Sequence, residues 1–209
     1  PLNVSGGVKA EELLGMTENT NPIRGERVIA AIAMPSVDDA GKDGDGAEPA
    51  PLALGTRNGV VKRWNRESPT TMDSWSVIDL KDGDEVLAAA EARDGDRLVF
   101  VSTDSSLLTF EAKNVRPQGR TAGGMAGIRL ATGCSVAAFA VVPAEKVAWT
   151  YDEGENGLFS ASGAVVLTVA GDSEALPGTE NGAAKVTPLE MYPTKGRGTG
   201  GVRSQRFLK

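Results

Sequence analysis

The 209-residue sequence predicts an all-β chain assembled from repeated units. Three observations carry that expectation. The apolar runs are short and rich in β-branched and aromatic residues; Asn-Gly and Asp-Gly pairs punctuate them; and three sequence blocks return in the same order along the chain.

Taken in order, Val8–Gly15 offers a short helical turn. The first repeated block is a hairpin, Thr-x-Asn-Gly-x-x-Lys, at Thr56–Lys62 and Thr179–Lys185, with a degenerate copy over Thr103–Thr109. Strands are expected at Arg97–Val101, Leu107–Phe110, Val136–Val142 and Ala164–Val169. The second block is a glycine-rich basic loop, at Arg116–Met125 and again at Tyr192–Val202. Between Arg66 and Trp75 its counterpart has lost the glycines and reads Ser68-Pro69-Thr70-Thr71-Met72-Asp73-Ser74. The third block, Gly-x-x-Val, occurs at Gly25–Val28, Gly83–Val86 and Gly133–Val136. Its glycines are 58 and 50 residues apart, a period near that of four-stranded propeller blades. Such a unit cannot bury both faces alone and must stack on neighbours. The expected organisation is a single domain that is a piece of a longer polypeptide, with units at about 1–37 (partial), 49–92, 93–142 and 157–209 (tail truncated). Residues 38–48 form an acidic inter-unit loop.

Composition excludes several functions. The chain is 40% apolar, as a globular domain requires, yet no apolar run approaches the ~18 residues of a membrane span, and no leader pattern opens it. Cys134 is the single cysteine and there is no histidine. Internal disulfides, Ser–His and Cys–His catalysis and the usual zinc sites are therefore out. Gly196–Gly201 formally contains Gly-x-Gly-x-x-Gly, but no strand leads into it and no helix pattern follows. Asp39, Asp43, Asp45 and Glu48 lack EF-hand spacing, so no metal is expected. The pairs Asp82/Asp84 and Asp94/Asp96 need only turn chemistry.

The net charge of −6 argues against a polyanion partner, but the charges are segregated. Lys113, Arg116, Arg120 and Arg129 lie in a stretch without acids. Lys185, Lys195, Arg197, Arg203, Arg206 and Lys209 face Glu190 alone. Acids collect in Asp38–Glu48 and Asp152–Glu180. A basic stripe on an acidic particle is still felt within a Debye length of ~10 Å.

Arg116-Pro117-Gln118-Gly119-Arg120 running into Gly123-Gly124-Met125-Ala126-Gly127-Ile128, together with Tyr192–Arg203, resembles the C-terminal repeats of bacterial type IIA topoisomerase A subunits, those of DNA gyrase and topoisomerase IV. The resemblance covers nearly the whole chain. It implies an incomplete β-pinwheel, a propeller-like disc of four-stranded blades, here about three full units and a partial one, whose basic rim binds and bends double-stranded DNA. The gyrase box Gln-Arg-Arg-Gly-Gly-(Arg or Lys)-Gly has only a loose analogue in Gln118–Gly124, a departure that favours the topoisomerase IV type. Tyr151 and Tyr192 do not match the context of the family's nucleophilic tyrosine, so this chain alone is not expected to cleave DNA. ATP and Mg²⁺ would serve the whole enzyme and not this chain. The implied partners are DNA and the ATPase B subunit, with the rest of the A subunit, in an A2B2 assembly. Its place would be the bacterial cytoplasm and nucleoid, with no membrane.

By repeat position the DNA-binding candidates are Lys62, Arg63, Arg66, Lys113, Arg116, Arg120, Lys185, Lys195, Arg197 and Arg203. Arginine offers phosphate a fork of donors, and neighbouring glycines let backbone N–H groups approach it. Arg120 and Arg197 recur at matched places within the loops. Arg63, Arg129 and Arg206 alternate with apolar strand residues and read better as outward strand charges than as DNA contacts. Trp64, Trp75 and Trp149 are expected to pack, since a duplex offers no open bases to stack on. No base-reading element is evident, so DNA preference would come from bendability. The alternative is a protein-interaction propeller without DNA binding.

Overall fold

The computed structural model describes residues 28–32, 49–67, 74–153, 159–171 and 182–206. The chain divides into two compact units, Pro1–Ala33 and Met34–Lys209. Of the first, residues 28–32 are described and carry no regular secondary structure. The expected helical turn at Val8–Gly15 and the acidic loop at 38–48 lie outside the described residues.

The second unit is β throughout its regular structure apart from single helical turns. β1 (Leu52–Thr56) and β2 (Val60–Trp64) form an antiparallel hairpin. β3 (Val86–Glu91) returns to pair with the far side of β1. The next repeat does the same, with β4 (Arg97–Ser102) and β5 (Ser106–Glu111) as the hairpin. Its loop contributes β6 (Pro117–Gln118) and β7 (Met125–Ala126), and β8 (Val136–Val142) closes back on β4. After the helical turn α1 (Ala144–Val147) comes a separate hairpin, β9 (Thr150–Glu153) with β10 (Phe159–Ser162). β11 (Val165–Ala170) and β12 (Ala183–Pro188) make the third repeat hairpin, followed by β13 (Val202–Arg203). The four expected strands are present within a residue or two of their expected bounds. The β9–β10 hairpin has no counterpart among them.

The first two blades each borrow their last strand from the unit that follows. β6 and β7 do not pair with their own hairpin; they lie along β2 of the preceding unit. β13 likewise pairs with β5, with Thr194 bridging Thr109. The first sheet is therefore β3-β1-β2-β6 with β7 also on β2, and the second is β13-β5-β4-β8. Among the described residues the third hairpin remains two-stranded.

The hairpin turns show why their residues recur. The Thr56 carbonyl accepts from Gly59 N–H, and its hydroxyl accepts from Val60 N–H. Gly59 then adopts φ 83°, open to glycine at no steric cost. In the second unit the same bonds run from Ser105 N–H to the Ser102 carbonyl and from Ser106 N–H to the Ser102 hydroxyl, with Ser105 at φ 62°. The degenerate copy is thus shifted by one residue from its expected alignment: Ser102, not Thr103, is the counterpart of Thr56.

Stacking puts the core between blades. Ala53, Val61, Leu98, Phe100, Leu108, Phe110, Ile128 and Phe139 form one buried cluster joining the first two sheets. A second joins Val99 and Leu107 to Leu189 and Tyr192 of the third unit. β4 therefore buries Leu98 and Phe100 on one face and Val99 on the other, and shows no simple inside–outside alternation. The Phe139 ring packs at 4.8 Å between centroids from Phe100 and also lies on Gly55, where a Cβ would sit 2.2 Å from its Cγ. Gly55→Ala is expected to lower the urea midpoint by the equivalent of ~1–3 kcal/mol, the usual cost of overpacking a filled core.

Candidate nucleic-acid interface

Two cationic loops stand on the outer edges of the first two sheets because of strand borrowing. In the first, β6 runs parallel to β2 (Arg63 opposite Pro117) and β7 runs antiparallel to it (Val61 opposite Met125). The six residues between them must double back within a few ångströms of the sheet edge. Gly124 makes this possible: a Cβ there would meet the Val61 carbonyl oxygen at 2.8 Å. Gly201 holds the matching place in the second loop, where a Cβ would lie 2.4 Å from the Leu107 carbonyl oxygen.

The loops also touch one another. Arg197 donates from Nη1 to the Ala126 carbonyl at 2.9 Å and from Nε to that of Asn114 at 3.2 Å. Gly198 N–H donates to the Gly127 carbonyl at 2.7 Å, and Arg129 N–H to that of Thr199 at 3.0 Å. Arg120, at the matching place in the earlier loop, is half-buried and lines an open hollow of about 330 Å³ with Trp75, Ser76, Asp79 and Thr121. Each of these arginines thus lies against the loop region of the preceding unit.

The remaining loop cations face solvent. Arg116, Lys195 and Arg203 are exposed. Ion pairs among the described residues join Arg57 to Glu85, Arg63 to Asp94, Arg66 to Glu91 and Lys113 to Glu111. None neutralises Arg116, Arg120, Lys195, Arg197 or Arg203. Lys113 is exposed but paired, and its ammonium holds the Glu111 carboxyl below the usual glutamate range. Lys185 is exposed, with Nζ donating to the Ser204 carbonyl at 2.9 Å. Arg129, which the sequence presents more as a strand charge than a DNA contact, is exposed where the two loops meet; its recurrence as Arg206 is the signal that could find it.

Three sequence candidates are corrected by burial. Arg63 is 2% exposed and donates to the carbonyls of Ala92, Ala112 and Val115 at 3.0–3.2 Å, besides its contact with Asp94. Arg66, 7% exposed, donates from Nη1 to Glu91 at 2.6 Å. Lys62 is fully buried, its Nζ donating to the carbonyls of Arg120 at 2.9 Å and Ala122 at 2.6 Å. Burial pulls its pKa below the ordinary lysine value, and the charge of Asp79 works against that shift. These side chains bind the protein's own carbonyls and present no cation to a phosphate. Trp64 is buried and Trp75 and Trp149 half-buried, as packing residues should be.

No helix among the described residues is long and apolar enough to cross a membrane, and no group of three or more acidic or cysteine side chains there could hold a metal ion.

Comparison with known proteins agrees with this architecture. Residues 96–143 and 178–208 match a family model described as the DNA gyrase C-terminal domain, β-propeller. The chain is 32% identical over 159 residues to the DNA gyrase A subunit of Deinococcus deserti, covering 74% of this chain and 17% of that protein. It is 38% identical over 150 residues to the DNA gyrase A subunit of Aeromonas salmonicida, covering 70% of this chain and 13% of that one. The chain therefore spans about a sixth or less of these relatives. In structure it is similar to the C-terminal domain of a DNA topoisomerase IV, with a TM-score of 0.66 at 20% identity over 90% of this chain and 48% of that one. That likeness shows a shared fold.

Proposed function

Because the chain belongs to the family of C-terminal β-propeller domains of the DNA gyrase A protein, we propose that it is a sequence-neutral module that binds and bends duplex DNA along its borrowed-strand loops. The observation that carries this reading is the set of cations, Arg116, Arg120, Lys195 and Arg203, that no ion pair among the described residues neutralises, on two loops that hydrogen-bond to each other. Bending a duplex calls for cations at successive points on a curved path, and adjacent blades supply such points. The side chains exposed there suit phosphate contact, and among the described residues no helix longer than a single turn is present to enter a groove. In the whole enzyme the module would present DNA for ATP-dependent strand passage, in partnership with the B subunit, beside the rest of its own polypeptide. ATP and Mg²⁺ would act in those other parts, in the bacterial cytoplasm.

The test is affinity against salt for a ~40 bp duplex. Arg116→Glu, Lys195→Glu and Arg203→Glu together should weaken binding at ~50 mM salt by roughly tenfold or more. They should also make the log–log salt slope shallower by about 0.9 for each phosphate no longer neutralised. An unchanged slope, or a wild-type chain with no salt-dependent binding, overturns the proposal.

A further inference from the structure

Lys62 sits in one unit, while the two carbonyls it holds, those of Arg120 and Ala122, belong to the next. The Ala122 carbonyl also accepts from Asp79 N–H at 3.4 Å, and Ala122 N–H donates to the Gly119 carbonyl at 3.3 Å. The main chain on either side of Thr121 is thereby fixed from beneath, while the Arg120 side chain lies half-buried in the hollow beside Trp75 and Asp79. A fully buried ammonium is costly unless its protons are taken up, and here two are given to loop carbonyls. The matching place in the second unit is Leu108, which cannot donate; there the loop is tied by Arg197 to Ala126 and Asn114 instead.

We infer that Lys62 is a positioning residue: it latches the neighbouring unit's loop by two main-chain carbonyls and so sets where the Arg120 guanidinium is offered to a phosphate. The phosphate half of this inference rests on the proposed function, whereas the latch does not.

The experiment uses the 209-residue chain with Lys62→Met, which keeps the volume and removes the donors, and Lys62→Gln, which keeps N–H donors. Amide hydrogen exchange at Gly119–Gly123 should quicken roughly tenfold in Lys62→Met, with exchange in the β4–β5 hairpin unchanged, and slow again in Lys62→Gln. If Lys62→Met fails to fold, Lys62→Gln carries the same readouts, with a smaller quickening expected. Unchanged loop exchange overturns the latch. For DNA, Lys62→Met should lose about as much duplex affinity as Arg120→Gln, on the order of threefold to tenfold, and the double variant should lose no more than either alone. Additive losses, or a loss in Lys62→Met that persists undiminished in the Arg120→Gln background, overturn the positioning role. A wild-type chain that binds no duplex overturns the functional reading and the phosphate half with it, and loop exchange still decides the latch.

Discussion

Arg63→Ala should destabilise the chain by about 3–5 kcal/mol, from ~1–3 kcal/mol for each buried carbonyl left without its donor together with the lost packing of a buried side chain. The guanidinium joins β2 to the Ala92 carbonyl after β3 and to the Ala112 and Val115 carbonyls of the following unit. Without it the Ala92 and Val115 carbonyls lose their Arg63 donor, each at the desolvation cost of an unmade hydrogen bond, while the Ala112 carbonyl still accepts from Val115 N–H at 2.9 Å. Asp94 contributes little of this, because it is 76% exposed and stays hydrated when its partner leaves. Arg63→Met should recover the packing share and leave the Ala92 and Val115 carbonyls without the Arg63 donor. Urea unfolding at constant pH reads both variants, and the duplex salt slope of the folded protein should match wild type. A shallower slope with intact stability would mean that Arg63 faces phosphate after all.

Why the sequence suggests otherwise follows from the geometry of β2. Successive strand residues point to opposite faces, so in a half-exposed strand one of Lys62 and Arg63 would reach solvent. Both are buried, at 0% and 2%, because the strand is covered on two sides by neighbouring packing and along its edge by the borrowed β6 and β7. Charge in a sequence carries no record of that cover. The corresponding residues of the second unit are Leu108 and Thr109, and those of the third are Lys185 and Val186, so the repeats themselves disagree on what the place requires. Hairpins and tail strands are legible because their signals are local: β-branched runs, Asn58-Gly59, Gly83 and Gly133 opening β3 and β8. β6, β7 and β13 are not, being two residues each inside glycine-rich loops and paired across units. Recurrence does locate the two loops and their arginines. It cannot reveal that Arg197 spends two donors on the adjoining loop's carbonyls.

Gly201→Ala should cost ~3 kcal/mol, the upper part of the overpacking range, whereas Gly196→Ala in the same loop should stay within about 0.5 kcal/mol of wild type. A Cβ on Gly201 would stand 2.4 Å from the Leu107 carbonyl oxygen and 2.8 Å from its nitrogen, both backbone atoms of a paired strand that cannot yield. On Gly196 the nearest heavy atom would be Thr199 Cγ2 at 3.9 Å, an ordinary contact. If the glycines served only to keep the loop supple, the two substitutions would act alike. If they allow a borrowed strand to lie flat on its host, Gly201→Ala must also loosen what β13 carries: the pairing of Arg203 with Ser106 and the bond from Ser204 N–H to the Ser105 carbonyl at 2.8 Å. Proteolysis after Arg203 should then quicken in Gly201→Ala alone. Duplex affinity should fall with it, because a cation on a frayed segment pays ordering entropy before it can meet a phosphate. Equal effects from the two alanines would break the link between close approach and cation placement.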